Sequence, residues 1–290
     1  MKANPITPHM PDLILAAREA GALIARHSAG VAGLNVIKKK DGTPVTLVDR
    51  MAEDIIVDVL RRLAPSIPII AEERFSSGDR PSLEGAESFW LVDALDGTRD
   101  FLAGTGEYTV NIALIHKGVP TLGIIYAPER DALYYALRGQ GAFAVMGLGS
   151  APIPLQVRSI ASGGNGKAGG DLTLVTSSRQ NTASRINQLF NTYTIAQRKT
   201  CGSSLKFCMI AAGQADIYPR LGPTSEWDTA AGDAILREAG GALIDLDNGG
   251  GLLTYGKADK KFLNPAFVAT THELWMRHRA EFQKPFIPKQ

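Results

Sequence analysis

The chain has 290 residues, 44% of them hydrophobic and 21% charged, enough to bury one large core or two closely packed subdomains. Its 31 basic and 29 acidic residues leave a net charge of +2, and the densest basic cluster, Lys38-Lys39-Lys40, is too short for a nucleic-acid footprint. No apolar run reaches the ~20 residues of a membrane span and the N-terminus lacks a signal-peptide core, so the expectation is a cytoplasmic protein with no membrane span.

In chain order, Leu13, Ala16, Ala17, Ala20, Leu23 and Ile24 form one stripe of a helix over residues 11–27. A second helix carries Val48, Met51, Ala52, Ile55, Ile56, Val59, Leu60 and Leu63 at three- and four-residue spacing. Thr46 and Asp49 give it a capping box, and Pro65 closes it. Apolar runs at 67–71 and 89–92 predict short strands. Residues 108–115 and 121–126 predict an antiparallel hairpin joined by a longer loop, residues 116–120; 132–137 and 142–145 make a second pair.

SGGNGKAGG, residues 162–170, is too glycine-rich to pack and predicts a flexible connection. Beyond it, strands at 172–177, 193–197, 215–218 and 242–246 alternate with helices near 183–190, 203–213 and 226–239, the pattern of an α/β layer. Cys201 and Cys208, seven apart, are expected on one helix face as buried thiols, too distant for a disulfide. The expected organisation is an α+β subdomain over 1–161, the connection 162–170, and an α/β subdomain over 171–290, with a ligand crevice between the halves.

Residues 90–101, WLVDALDGTRDF, drive an apolar strand into a knot of carboxylates. Asp93 and Asp96 crowded at a strand end would repel each other and lose hydration unless something offsets the charge. Three more acidic sites stand out: Asp49, Glu72-Glu73 and Asp228. Each has a purely structural alternative, since Asp49 and Asp228 occupy the fourth position of capping boxes opened by Thr46 and Ser225, and Glu72-Glu73 would serve as a solvated loop. The pair Asp93-x-x-Asp96 resists such an explanation. A strand ending in Asp93, a turn through Asp96-Gly97 and a helix opening at Thr98 would gather the hard oxygen donors that a divalent cation requires. Gly97 permits close approach, and the amides after it can meet an anion. A cation, an anion site and a hydroxyl together point to phosphoester chemistry.

Three segments, Glu72-Glu73, Asp93 to Thr98 and Trp227 to Gly232, resemble in order the three signatures of the inositol monophosphatase superfamily of metal-dependent, lithium-sensitive phosphatases. Residues 202–236 and 262–267 look most like its 3′(2′),5′-bisphosphate nucleotidase branch. The resemblance implies a layered α/β/α/β/α sandwich of the sugar-phosphatase type. It also implies magnesium-dependent removal, by metal-activated water, of the 3′-phosphate of adenosine 3′,5′-bisphosphate, giving AMP and clearing a by-product of sulfate assimilation.

Carried over by position, the resemblance makes Glu72, Asp93, Asp96, Asp228 and the carbonyl of Leu95 ligands for Mg2+, more than one per site, with Li+ as inhibitor. It pairs Asp49 with Thr98 to orient and deprotonate water, with Glu73 in support. Lys39 falls where the family has a mobile loop lysine; its alternative is a solvated basic turn. Gly97, Thr98, Ser203 and Ser204 are candidate substrate contacts, and Lys206 and Arg220 candidate partners for the second phosphate. The alternatives are helix surface for Lys206, an ion pair for Arg220, and core packing for Trp227. Two departures stand out: Ala94 replaces the usual proline, and the segment to Gln180 lacks a histidine common in such nucleotidases. The competing readings are inositol monophosphatase or fructose-1,6-bisphosphatase activity, which share the metal core, and a non-catalytic metal-dependent nucleotide sensor. The expected partner is a small phosphorylated nucleotide.

Overall fold

A computed structural model describes residues 9–28, 37–38, 44–160, 171–177 and 194–282. Helix α1 (Met10–Ser28) buries Leu13, Ala16, Ala17, Ala20, Gly21 and Ile24, the anticipated stripe with Gly21 added and Leu23 at its half-buried margin. A short antiparallel ribbon, β1 (Ile37–Lys38) and β2 (Pro44–Val45), precedes α2 (Leu47–Leu63). Thr46 caps α2 with both halves of the capping box formed, and the helix stops at Ala64, one residue before Pro65. Among the described residues, no helix is long and apolar enough to cross a membrane.

The two long helices cover one face of a seven-stranded sheet. Its strands run in sequence order: β3 (Ile69–Ala71), β4 (Ser88–Asp96), β5 (Thr109–His116), β6 (Val119–Ala127), β7 (Ala132–Leu137), β8 (Gly141–Met146) and β9 (Ile153–Pro154). Only β3 and β4 are parallel; the rest is a meander. Two short helices follow strands at one end of this sheet, α3 (Glu72–Ser77) after β3 and α4 (Thr98–Leu102) after β4.

A second, five-stranded sheet contains β10 (Asp171–Thr176), β11 (Thr194–Thr200), β12 (Ile217–Arg220), β13 (Gly241–Asp245) and β14 (Phe267–Thr271), in the order β11-β10-β12-β14-β13. Between the sheets lie α5 (Leu205–Ala211) and α6 (Ala230–Glu238), while α7 (His272–Arg277), followed by α8 (Arg279–Phe282), closes the outer face of the second. The result is the expected α/β/α/β/α sandwich. The predicted connection 162–170 and the helix near 183–190 lie outside the described residues.

Four local expectations need correction. The β5–β6 connection is a two-residue turn, with His116 paired to Val119. Lys117 and Gly118 both adopt positive φ (50° and 75°), the left-handed geometry that matches strand twist, and Pro120 enters β6 beside a register shift. Strand β4 does not end at Asp93 but continues to Asp96, which pairs with Thr109 across a bulge. Cys201 precedes α5, so only Cys208 is helical, although both thiols are buried and free. The helix expected over 226–239 is a 3-10 turn, Glu226–Asp228, followed by α6.

The Ala230-Ala231-Gly232 run explains how α6 fits between layers. A Cβ on Gly232 would lie 2.3 Å from the Phe207 ring of α5, and one on Gly123 of β6 would lie 2.4 Å from the Ala231 carbonyl. Both contacts are made by backbone or rings that have nowhere to retreat. Gly123→Ala should therefore lower unfolding free energy by about 1–3 kcal/mol, the usual range for an overpacked core. Urea unfolding with an unchanged m-value tests this; an unshifted midpoint would mean that α6 can slide away from the sheet.

Candidate active site

A cleft of about 470 Å³ opens where the ends of both sheets meet. Glu72, Asp93, Asp96 and Asp228 line it together with Lys206, Tyr218 and Arg220. Glu72 opens α3, whose N-cap position, Ala71, has no side chain to satisfy the first amides. Glu53 of α2 does so instead: its Oε2 accepts from the Glu73 N–H (2.7 Å) and its Oε1 from the Arg74 N–H (3.1 Å). Burial raises the Glu53 carboxyl from 4.5 to about 7, against the opposing pull of these donors.

The bulge in β4 presents the next two carboxylates. Asp93 Oδ1 accepts the Leu95 N–H at 3.0 Å, pinning the turn that carries the Leu95 carbonyl to the cleft wall. Gly97, at φ 92°, then reverses the chain, and its missing Cβ leaves room for the Glu107 carbonyl, which would otherwise be 3.1 Å away. Oxygens of Glu72, Asp93 and Asp228 all lie within 4.8 Å of one another. Asp96 stands outside this triplet, its Oδ2 held by the Ser204 hydroxyl at 2.8 Å. Desolvation, then the charges of Asp96 and Glu72, push the Asp228 carboxyl well above the ordinary range; burial likewise raises Asp96. A hard divalent cation fits this donor set, because it brings carboxylates and a main-chain carbonyl the charge they lack.

Asp49 performs two tasks from one buried carboxylate. Its Oδ2 accepts from the Thr46 N–H (2.8 Å) and hydroxyl (2.6 Å), completing the cap, while Oδ1 lies 3.1 Å from the Thr98 hydroxyl. Glu73 is buried and does not line the cleft. Asp228 forms its own capping box with Ser225 at the 3-10 turn, and Trp227 packs on Phe75 and Phe262.

Beside Gly97, Ser203 holds a positive φ of 46°, and its buried hydroxyl has no partner among the described residues. Lys206 is 4% exposed, which excludes the helix-surface alternative. Its ammonium donates to the carbonyls of Ser203 (2.5 Å) and Cys201 (3.2 Å) and lies 5.1 Å from the Tyr218 ring centre. Burial lowers its pKa, against the attraction of Asp96. Arg220 donates to the Pro223 carbonyl at 2.9 Å and pairs with no carboxylate among the described residues. Lys39 and Gln180 lie outside the described residues.

Sequence reasoning missed two groups. Glu53 follows Asp49 by one helical turn on the face that buries Ala52, Ile56 and Leu60, an acid where the stripe calls for an apolar residue. Asn111 sits 1% exposed within the otherwise apolar run of β5, with its amide 2.8 Å from Ser204 Oγ.

The family model described as the inositol monophosphatase family matches residues 11–283. A protein from Salmonella typhimurium named 3′(2′),5′-bisphosphate nucleotidase CysQ is 39% identical over 259 residues, 88% of this chain and 97% of its own. The crystal structure of CysQ from Bacteroides thetaiotaomicron superposes with a TM-score of 0.70 at 31% identity, covering 88% of this chain and 94% of that one. The extragenic suppressor protein suhB from Bartonella henselae gives 0.72 at 26% identity, covering 96% and 99%.

The raised carboxyl groups have a measurable sign. Glu53, Asp96 and Asp228 bind protons more readily folded than unfolded, so between about pH 7 and the ordinary carboxylate range the native state holds the excess. Metal-free protein should therefore gain stability as pH falls through that window, and saturating divalent cation should flatten the gain. Thermal midpoints in chelator across pH 7 to 5 check this. Asp96→Asn should raise the chelated midpoint at pH 7, and a fall there would remove its carboxylate from the repelling set.

Proposed function

The chain belongs to the inositol monophosphatase family, and we propose that it is a bisphosphate nucleotidase that removes the 3′-phosphate of adenosine 3′,5′-bisphosphate to leave AMP. The observation that carries this reading is that Lys206 and Arg220 line the same cleft as the carboxylates. Neither cation forms a direct salt bridge among the described residues, although Lys206 is attracted by Asp96 and Arg220 by Asp228. A substrate with a single phosphate needs only the carboxylate-bound cation; a second phosphate gives these side chains a partner. The naming of the 39% identical Salmonella protein supports the same assignment.

Family members are metal-dependent, and the proposed cation here is Mg2+, with more than one per site. Glu72, Asp93, Asp228 and the Leu95 carbonyl would hold it, with Asp96 completing a second position. Bound there, it supplies positive charge that acidifies water and polarises the phosphate. The chain's own groups handle the proton. With the Thr98 hydroxyl donating to Asp49 Oδ1, its lone pairs remain to accept from water and fix the direction of attack. The water proton can then pass through Thr98 to Asp49, whose other oxygen is already held by Thr46. Lys206 is set in place before substrate arrives, because two carbonyls and an aromatic face hold its ammonium. Ser203, strained and without a hydrogen-bond partner among the described residues, offers its hydroxyl to the ribose or the second phosphate.

Phosphate release with magnesium from adenosine 3′,5′-bisphosphate, inositol 1-phosphate and fructose 1,6-bisphosphate, measured side by side, should favour the nucleotide. Preference for either of the others would overturn the assignment. Arg220→Gln should raise KM for adenosine 3′,5′-bisphosphate about 10- to 100-fold, the value of one charge-assisted hydrogen bond, while leaving adenosine 3′-monophosphate nearly unchanged. Equal losses on both substrates would make Arg220 structural. Lithium should inhibit at concentrations where sodium does not; equal effects would indicate ionic strength alone.

A further inference from the structure

Strand β5 is buried along its length from Thr109 to Ile115, and Asn111 is its one amide side chain. An amide buried here costs several kcal/mol unless its donors and acceptor are matched, whereas a leucine would fill the layer at no such cost. Each group is in fact matched. Asn111 Oδ1 accepts from the Thr109 hydroxyl at 3.0 Å, and Nδ2 donates to Ser204 Oγ at 2.8 Å with Asp96 Oδ2 at 3.5 Å. Because Ser204 Oγ accepts from Asn111, its own single proton must point onward. Two acceptors are in reach: Asp96 Oδ2 at 2.8 Å and the Asp228 main-chain carbonyl at 2.9 Å.

This chain of donors runs buried behind the cleft wall and joins its two parts. Asn111 and Asp96 belong to the first sheet, and Ser204 belongs to the turn before α5 that also carries Ser203 and the carbonyl holding Lys206. We propose that Asn111 is a positioning residue which, through the Ser204 hydroxyl, couples cation binding at the carboxylates to substrate binding at the Gly202–Ser204 turn. The proposal rests on the phosphatase reading above for the identity of the substrate, though not for its cation half.

The two acceptors supply the switch. When the negative charge of Asp96 is uncompensated, it holds the Ser204 proton and draws the turn toward the first sheet. When a cation compensates that charge, the Asp228 carbonyl competes for the same proton, and the turn is tied to the 3-10 turn before α6 instead. Asn111 fixes the polarity in both states, since an amide with its oxygen toward Ser204 would take the proton itself and leave Asp96 without a donor. Coupling of this kind is reciprocal: whatever nucleotide binding gains from the cation, cation binding gains from the nucleotide.

The test is manganese binding followed by calorimetry, with and without AMP, on wild type, Asn111→Leu, Ser204→Ala and the double variant. Leucine restores the bulk of the amide without its donors, so a merely structural role would leave manganese affinity unchanged in a folded Asn111→Leu protein. The expected result is roughly tenfold weaker manganese binding in each single variant, within the usual range of site–site coupling, and no further loss in the double. AMP should tighten manganese binding to wild type but not to the variants. Wild-type affinity in both single variants, additive losses in the double, or AMP tightening that survives in the variants would each overturn the proposal. Should Asn111→Leu not fold, Asn111→Asp, which keeps the size of the side chain but removes the donor to Ser204, carries the same comparison, and wild-type manganese affinity in it would equally overturn the proposal. If wild type failed to hydrolyse adenosine 3′,5′-bisphosphate while Asn111→Leu still weakened manganese alone, the nucleotide assignment would fall and the role of Asn111 at the cation site would stand.

Discussion

Mutual repulsion among carboxylates at the end of a buried strand is the constraint around which this molecule is arranged. Three oxygens from Glu72, Asp93 and Asp228 within 4.8 Å of one another, with Asp96 beside them, store unfavourable energy in the absence of cations. The surrounding structure keeps them there by giving each a fixed anchor. Asp93 is bound to an amide two residues on, Asp96 to Ser204, Asp228 to the start of its own turn, and Glu72 sits on a helix whose first amides are bound by Glu53. The fold stabilises positions that the charges oppose, which is the condition for a site prepared to bind cations rather than to collapse around itself.

Close packing brings Asp228 to that cluster from the second half of the chain. Helix α6 begins two residues after Asp228 and is pressed between β6 and α5, with Gly123 and Gly232 removing the side-chain bulk on either side. Larger residues at those positions would press against α5 and α6 and strain the layer that carries Asp228. The small-residue run after Asp228 therefore belongs to the site as much as the acid does, although it touches no ligand.

How much of this was legible in the sequence varies with the range of the forces involved. The capping boxes at Thr46 and Ser225 and the stripe of the first helix follow from local spacing and stand at the expected residues, whereas in the second helix the buried face keeps Val48, Ala52, Ile56 and Leu60, takes in Val57 and leaves the expected Met51 exposed. Where a distant part of the chain decides, local reading erred. For Lys206 local spacing left helix surface open as the alternative to a substrate contact, and only the enclosing β12 and Cys201 turn remove it. The β5–β6 loop looked longer because Pro120 argues against a strand, but a register shift accommodates it. Glu53 and Asn111 were overlooked for one reason: each is a polar residue embedded in an apolar period, which pattern counting treats as noise. Their partners lie 20 and 93 positions away. A polar residue that interrupts a buried face is better read as the mark of a long-range contact.

The double duty of Asp49 bears on how this fold could lose its chemistry. One oxygen completes the cap of α2 and the other meets Thr98, so the acid is retained for folding whether or not it is needed for proton transfer. Thr98 has no comparable structural role; among the described residues its hydroxyl contacts are to Asp49 and the Leu95 carbonyl. A duplicated gene released from selection on turnover would therefore drift at Thr98 while Asp49 stayed in place under selection for a stable helix start. Among descendants of such a duplicate, an intact aspartate would testify to a folded protein, and, on the proposed mechanism, the residue at position 98 to a working one.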